Sequence, residues 1–133
     1  MPITPQALLL DFGGVIADTG GPAGWAANLT PTVHNLLLSR KITRLSPEAI
    51  EADLTAGAAA YAAWGDAMCR PYAPLEVTHE QFWSDYVAAD WPASAREAVL
   101  AHADTLCIRL GEVRHAFAVR AGIVGVLAEA VAR

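Results

Sequence analysis

The sequence predicts a mainly α-helical chain with one N-terminal strand of the type found in parallel sheets. Hydrophobic residues make up 54% of the 133 residues and charged residues only 17%, a balance that excludes a disordered chain. Much of the apolar content is alanine, which favours helix more than any other residue. Helix-start patterns recur through the middle of the chain, whereas one short, continuous apolar run lies near the N-terminus. The length suits one compact domain.

The apolar run covers residues 6–12, which read QALLLDF, and Gly13 and Gly14 end it abruptly. A short run of this kind that stops at glycines predicts a buried parallel strand feeding a loop. The following stretch, residues 13–28, is rich in glycine and predicts a long connecting loop.

Four N-terminal capping patterns predict the helices that follow. Two of them place proline directly after a hydroxyl residue, and two are capping boxes, in which Ser or Thr is followed three residues later by Glu or Gln. The patterns begin at Thr30, Ser46, Thr78 and Ser94. We expect the second helix to run to about Met68 and the fourth to stop at Gly111, since glycine commonly follows a helix end.

Apolar residues at helical spacing predict which faces are buried. The predicted core positions are Ile50, Leu54, Ala58 and Tyr61 in the second helix, and Val99, Ala103, Leu106 and Leu110 in the fourth. Gly57 and Gly65 are each expected to weaken the second helix by about 1 kcal/mol relative to alanine.

The C-terminal segment from Glu112 onward predicts a further helix with a break near Gly122. Residues 123–127 are apolar enough for a buried strand. However, Ile123, Leu127 and Val131 recur every four residues, which favours helix.

Charge and cysteine content narrow the function classes. The net charge is −5 and no basic stripe is present, which argues against a nucleic-acid partner. The two cysteines, Cys69 and Cys107, are far apart and indicate free thiols in a reducing cytoplasm. No stretch approaches the length of a membrane span, so we expect no membrane partner and a cytoplasmic location.

Asp11 is the residue most suggestive of chemistry. It follows a predicted strand and precedes two glycines, the position at which open α/β sheets bind ligands. A carboxylate there is suited to attack phosphorus or to bind Mg²⁺, which prefers oxygen ligands. Equally, an aspartate beside glycines often caps a tight turn through its own side chain. Both interpretations stay open from the residues alone.

The stretch Asp11-Phe12-Gly13-Gly14-Val15 resembles the first motif of the haloacid dehalogenase (HAD) superfamily. The resemblance implies an α/β core with a helical cap, in which residues 1–29 begin the core, residues 30–114 form the cap and residues 115–133 return to the core as a helix. It also implies hydrolysis of a small phosphorylated metabolite. Asp11 would form an aspartyl-phosphate, Mg²⁺ would bind Asp11 and the backbone carbonyl of Gly13, and the loop backbone at Gly14 would bind substrate.

Two departures from the family pattern affect the expected activity. Gly13 replaces the second aspartate of most phosphatases in the family, whose acid–base contribution is typically about 10²–10⁴-fold. The later motifs, with their hydroxyl, lysine and acidic metal ligands, find no credible position, and Lys41 is the only lysine. We therefore expect a truncated form of the fold with impaired or no turnover. Asp18 is a conceivable substitute acid.

Other functions and assemblies remain open. The family's dehalogenases also lack the second aspartate, so displacement at a carbon–halogen bond is one alternative. A non-catalytic helical interaction domain or relic is another. A lone strand has unpaired edges, which predicts pairing in a homo-oligomer. Four aromatic residues are expected either to line a substrate pocket or to pack the cap: Phe82, Trp83, Tyr86 and Trp91.

Overall fold

A computed structural model describes residues 9–70, 72–73 and 75–131. They divide into two compact units. The sheet unit consists of the residues up to Pro22 together with those from His115 onward, and the helical unit is Ala23–Arg114. In the order of the chain, the helical unit is therefore an insertion into the sheet unit. The chain is mainly helical, which confirms that part of the predicted fold class. The described sheet has two antiparallel strands, which does not fit the parallel α/β core that the family resemblance implied.

The helical unit contains five α-helices and one π-helical segment among its described residues. The elements are α1 (Trp25–Ser39), α2 (Pro47–Met68), α3 (His79–Gln81), the π-helical segment (Phe82–Val87), α4 (Ala93–Leu100) and α5 (Ala103–Arg114).

Two of the four predicted helix starts are confirmed. The Ser46 hydroxyl accepts a hydrogen bond from the Ala49 N–H at 3.2 Å, and α2 ends at Met68 as predicted. Thr78 forms a complete capping box: its hydroxyl accepts from the Gln81 N–H at 3.1 Å, while the Gln81 side chain accepts from the Thr78 N–H at 2.9 Å. Both starts depend only on contacts within four residues, so the local sequence was sufficient to predict them.

The prediction that a helix starts at Thr30 is wrong. Helix α1 begins at Trp25, and the buried Thr30 hydroxyl donates to the Ala26 carbonyl at 2.9 Å inside the helix. Pro31 therefore lies in the helix interior, where it removes one backbone hydrogen bond. Burial of this face of α1 in the core outweighs the local capping preference.

The fourth helix start and its predicted end are also wrong. Helix α4 begins at Ala93, and no side chain caps it, so Ser94 lies within the first turn. The single predicted helix is divided by a turn at residues 101–102 into α4 and α5, and α5 continues through Gly111 to Arg114. Leu110 is buried in the core, which holds this turn in place despite the glycine.

The predicted core positions of both helices are confirmed. Ile50, Leu54 and Ala58 are buried, Tyr61 packs against the core, and all four positions predicted from Val99 to Leu110 are buried. Trp83 is fully buried among them. The Trp91 indole N–H donates to the Asp53 carboxylate at 2.6 Å, which joins the segment before α4 to α2.

The sheet unit contains a two-stranded antiparallel sheet, β1 (Ala17–Gly20) and β2 (Ala116–Val119), in which Ala17 lies opposite Val119 and Gly20 opposite Ala116. The predicted N-terminal strand is wrong where it is described: residues 9–12 form no strand, and Leu9 is fully exposed. Residues 6–8 lie outside the described residues. A strand needs a partner, and the pairing instead joins two segments that are remote in sequence.

The C-terminal prediction is wrong in its first part and confirmed in its second. Residues expected to be helical form β2, because they pair with β1. Gly122 has a φ of 81°, a conformation that favours glycine, and it marks the predicted break. Helix α6 follows at Ile123–Val131, so the choice of helix for residues 123–127 is correct. No described helix is long and apolar enough to cross a membrane.

Candidate functional site

The loop that carries Asp11 folds back onto β1. The Phe12 carbonyl accepts hydrogen bonds from the N–H groups of both Ile16 and Ala17 at 3.0 Å, which closes a tight turn. The Gly14 N–H donates to the Ala17 carbonyl at 2.8 Å. Gly14 has a φ of 74°, which a residue with a side chain rarely adopts. The second glycine of the motif is therefore required by the shape of this turn.

Asp11 lies at the start of this turn with an exposed side chain. Its Oδ1 accepts a hydrogen bond from the Phe12 N–H at 2.8 Å. This contact is local, like the alternative to a catalytic role that the sequence left open, but it reaches the next residue and not the residue two positions on, as an Asx turn does. Because the side chain is exposed, the carboxylate remains accessible to a ligand from solvent.

Arg120 connects the loop to the sheet, a contact that no sequence pattern predicted. Its guanidinium donates to the Gly14 carbonyl, and its Nε lies 3.3 Å from Oδ1 of Asp18. Its backbone N–H donates to the Ile16 carbonyl at 3.0 Å. Asp18, the conceivable substitute acid, is thus paired with a guanidinium. No local signal in the sequence could have identified Arg120. Its partners precede the helical insertion in the chain, whereas Arg120 follows it.

A shallow depression of about 390 Å³ lies beside this loop. Its lining residues are Val15, Arg120, Ala121, Gly122, Ile123 and Val126. Arg120 is the one charged residue among them, and Asp11 does not line the depression. Loop and depression therefore share Arg120, but the structure does not bring the carboxylate into the depression.

The residues expected to bind Mg²⁺ fit that ion only in part. Asp11 provides a carboxylate and Gly13 a backbone carbonyl, both oxygen donors of the kind that Mg²⁺ prefers. Within the described part of the chain, no group of three or more His, Cys, Asp or Glu residues is suited to hold a metal ion. Most of the remaining ligands would therefore have to come from water or from a phosphate group.

The four aromatic residues that were candidates for a substrate pocket belong to the packing of the helical unit. Phe82, Trp83 and Trp91 are buried, and Tyr86 is half-buried. The Phe82 ring meets Tyr61 edge-to-face at a centroid distance of 5.5 Å and Trp83 at 5.7 Å. Core packing of this kind accounts for their presence without a ligand.

No known protein-family model matches the chain, and comparisons with curated proteins and with solved structures find no match.

Proposed function

We propose that this chain carries the nucleophile loop and the helical cap of a HAD-type phosphohydrolase, with Asp11 as the residue that accepts a phosphoryl group. The observation that supports this most strongly is the order of the chain. The Asp11 loop leads into β1, the helical unit follows as an insertion, and β2 returns to pair with β1. The motif resemblance implies a cap inserted shortly after the nucleophile, but it also implies a parallel core and a return helix, which the antiparallel pair of β1 and β2 does not provide.

The chemistry attributed to Asp11 is nucleophilic substitution at phosphorus. A carboxylate oxygen of Asp11 forms a bond to the phosphorus atom, the bond to the leaving oxygen breaks, and the leaving group departs with the electron pair. The Asp11 side chain is exposed, so an incoming phosphoryl group meets little steric obstruction there. The hydrogen bond from the Phe12 N–H occupies Oδ1 and orients the carboxylate.

The preferred substrates follow from Gly13, which carries no acid to protonate a leaving group. Without such an acid, an alkoxide departs slowly, whereas a carboxylate leaving group departs without a proton. Small acyl phosphates are therefore the donors that this loop would use best. Mg²⁺, when bound by Asp11 and the Gly13 carbonyl, would supply charge neutralisation between the two anions.

Covalent labelling of Asp11 tests the proposal directly and does not require turnover. The purified chain is incubated with acetyl phosphate and Mg²⁺, and intact mass and peptide mapping then detect any added phosphoryl group. We expect one phosphoryl group on Asp11, none on the Asp11→Asn variant, and unchanged labelling of Asp66→Asn, which alters an exposed carboxylate of α2. Mg²⁺-dependent hydrolysis of phenyl phosphate should be weak or undetectable, since phenolate is a poorer leaving group than a carboxylate and Gly13 carries no acid to protonate it.

The labelling has a clear negative outcome. An unlabelled wild-type chain, or equal labelling of Asp11→Asn, would contradict a nucleophilic role for Asp11. The non-catalytic helical interaction domain would then be the better interpretation, and the contact between Asp11 and Phe12 would be only a turn cap.

A further inference from the structure

The outer edge of β2 presents backbone groups that have no partner among the described residues. The Arg120 N–H donates to the Ile16 carbonyl across the sheet. In an antiparallel pair, every second residue of a strand directs its N–H and C=O groups toward the same neighbouring strand. Ala118 and Ala116 therefore also direct their backbone groups toward β1. The N–H and C=O groups of Phe117 and Val119 therefore point away from β1.

The outer edge of β1, by contrast, is covered at Ala17 by the Asp11 loop. The Ala17 N–H donates to the Phe12 carbonyl, and the Ala17 carbonyl accepts from the Gly14 N–H. These are the outward-pointing groups of β1 at that position. Within the described residues, the outer edge of β1 is therefore blocked at Ala17, whereas none of the outward backbone groups of β2 forms a backbone hydrogen bond.

The β2 edge also lacks the features that usually prevent pairing with another strand. Its four residues are Ala, Phe, Ala and Val, with no charge and no proline. Phe117 and Val119 are 58% and 67% exposed. A sheet of only two strands is marginally stable in water, so an additional strand on this edge would stabilise it.

We propose that β2 pairs antiparallel with β2 of a second copy of this chain, about a two-fold axis that passes beside Ala118. In this register, Phe117 of each copy lies opposite Val119 of the other, and the two residues exchange both of their N–H···O hydrogen bonds. In this register, the outward N–H and C=O groups of Phe117 and Val119 all form hydrogen bonds with the second copy. A shift of two residues in either direction leaves half of them without a partner on the strand.

Side-chain chemistry is consistent with the same register. Residues directly opposite each other in a sheet share a face, so Phe117 meets Val119 of the second copy, an aromatic and β-branched pair that favours sheet formation. Ala118 meets only the small Ala118 of the second copy. Arg120 faces Ala116 of the second copy, so no like charges are opposed and Arg120 keeps its contact with Asp18. The result is a four-stranded sheet with β2 of both copies at its centre.

The dimer dissociation constant, measured by analytical ultracentrifugation, tests whether two copies pair along the outer edge of β2. Val119→Pro removes the outward N–H but leaves the ladder to β1 intact. Because two hydrogen bonds are lost by symmetry, the dissociation constant should rise by about tenfold or more. Ile108→Lys is the matched control, since Ile108 is 65% exposed on α5, and it should leave the constant unchanged. A wild-type chain that is monomeric at high micromolar concentration, or a dimer insensitive to Val119→Pro, would overturn the proposal.

Cysteine cross-linking tests the register, in a chain whose Cys69 and Cys107 are replaced by alanine. Two Ala118→Cys residues would form a non-hydrogen-bonded pair with Cα atoms about 4.5 Å apart, which allows a disulfide. Ala116→Cys would face Arg120 and should not cross-link. Mild oxidation should therefore give a covalent dimer only with Ala118→Cys. Absence of that dimer, or equal cross-linking by both variants, would refute this register. The labelling of Asp11 does not depend on the outcome.

Discussion

A Cβ atom added to Gly57 would lie 2.6 Å from the backbone carbonyl oxygen of Tyr86. Gly57 is therefore the point at which α2 approaches the backbone of the π-helical segment, and this close contact needs the absence of a side chain. From the sequence, Gly57 and Gly65 were expected to weaken α2 to a similar extent. The structure separates them, because a Cβ atom at Gly65 would meet no other atom within 4 Å.

Alanine substitutions at these two glycines should therefore change stability in opposite directions. Gly57→Ala forces α2 away from Tyr86 and should lower the free energy of unfolding by about 2 kcal/mol. Gly65→Ala should raise it by roughly 0.5–1 kcal/mol, because alanine favours helix and nothing obstructs it. Urea unfolding monitored by tryptophan fluorescence measures both values. If the free energy of unfolding changed in the same direction in both variants, the contact between Gly57 and Tyr86 would not be tight enough to exclude a methyl group.

The guanidinium of Arg120 should control the mobility of the Asp11 loop, since it binds the Gly14 carbonyl and pairs with Asp18. In Arg120→Ala, we expect hydrogen exchange at the amides of Gly14 and Ala17 to accelerate by about threefold or more, the range of an exposed charged contact. The control is Arg109→Ala, which removes a similar exposed ion pair, to Glu112, within α5. Equal protection of the loop amides in all three proteins would show that Arg120 does not hold the loop.

The two cysteines should react with thiol reagents at different rates. Burial raises the pKa of the Cys107 thiol above its ordinary value of 9.0, an effect opposed by the neighbouring Trp83 and strengthened by Asp104, whereas Cys69 is exposed. At about pH 8, Cys69 should therefore be labelled at least about tenfold faster than Cys107. Cys69→Ser should leave only the slow phase. Two thiols that react at one rate would contradict the burial of Cys107.

The same pKa shift has a consequence for stability. The native state holds the Cys107 proton more tightly than the unfolded chain does. The resulting contribution to stability is complete below the unfolded pKa and is lost as the pH rises through the folded pKa. Wild type should therefore lose more stability than Cys107→Ala between neutral and alkaline pH, as measured by urea unfolding at each pH. Parallel pH profiles for the two proteins would contradict the raised pKa.

A feature could be predicted from the sequence when the residues that form it lie close together along the chain. The Ser46 cap and the Thr78 capping box involve residues three positions apart, and both are correct. The pattern at Thr30 looked equally suitable. However, Leu29, Thr30 and Val33 are buried in the core, so the helix extends upstream to Trp25. A local pattern cannot indicate when burial of a neighbouring turn will outweigh it.

By itself, the sequence determined the helical character of the chain, the apolar faces of its main helices and two of its caps, because helix hydrogen bonds and caps join residues within one turn. It also singled out the Asp11 motif as a feature, though not its surroundings. Only the tertiary structure decided that the sheet is antiparallel and formed by β1 and β2, that Arg120 secures the Gly14 turn, and that Gly57 lies against Tyr86. Strand pairing and close packing join residues that are distant along the chain, and such contacts leave no periodic signal in the segments that make them.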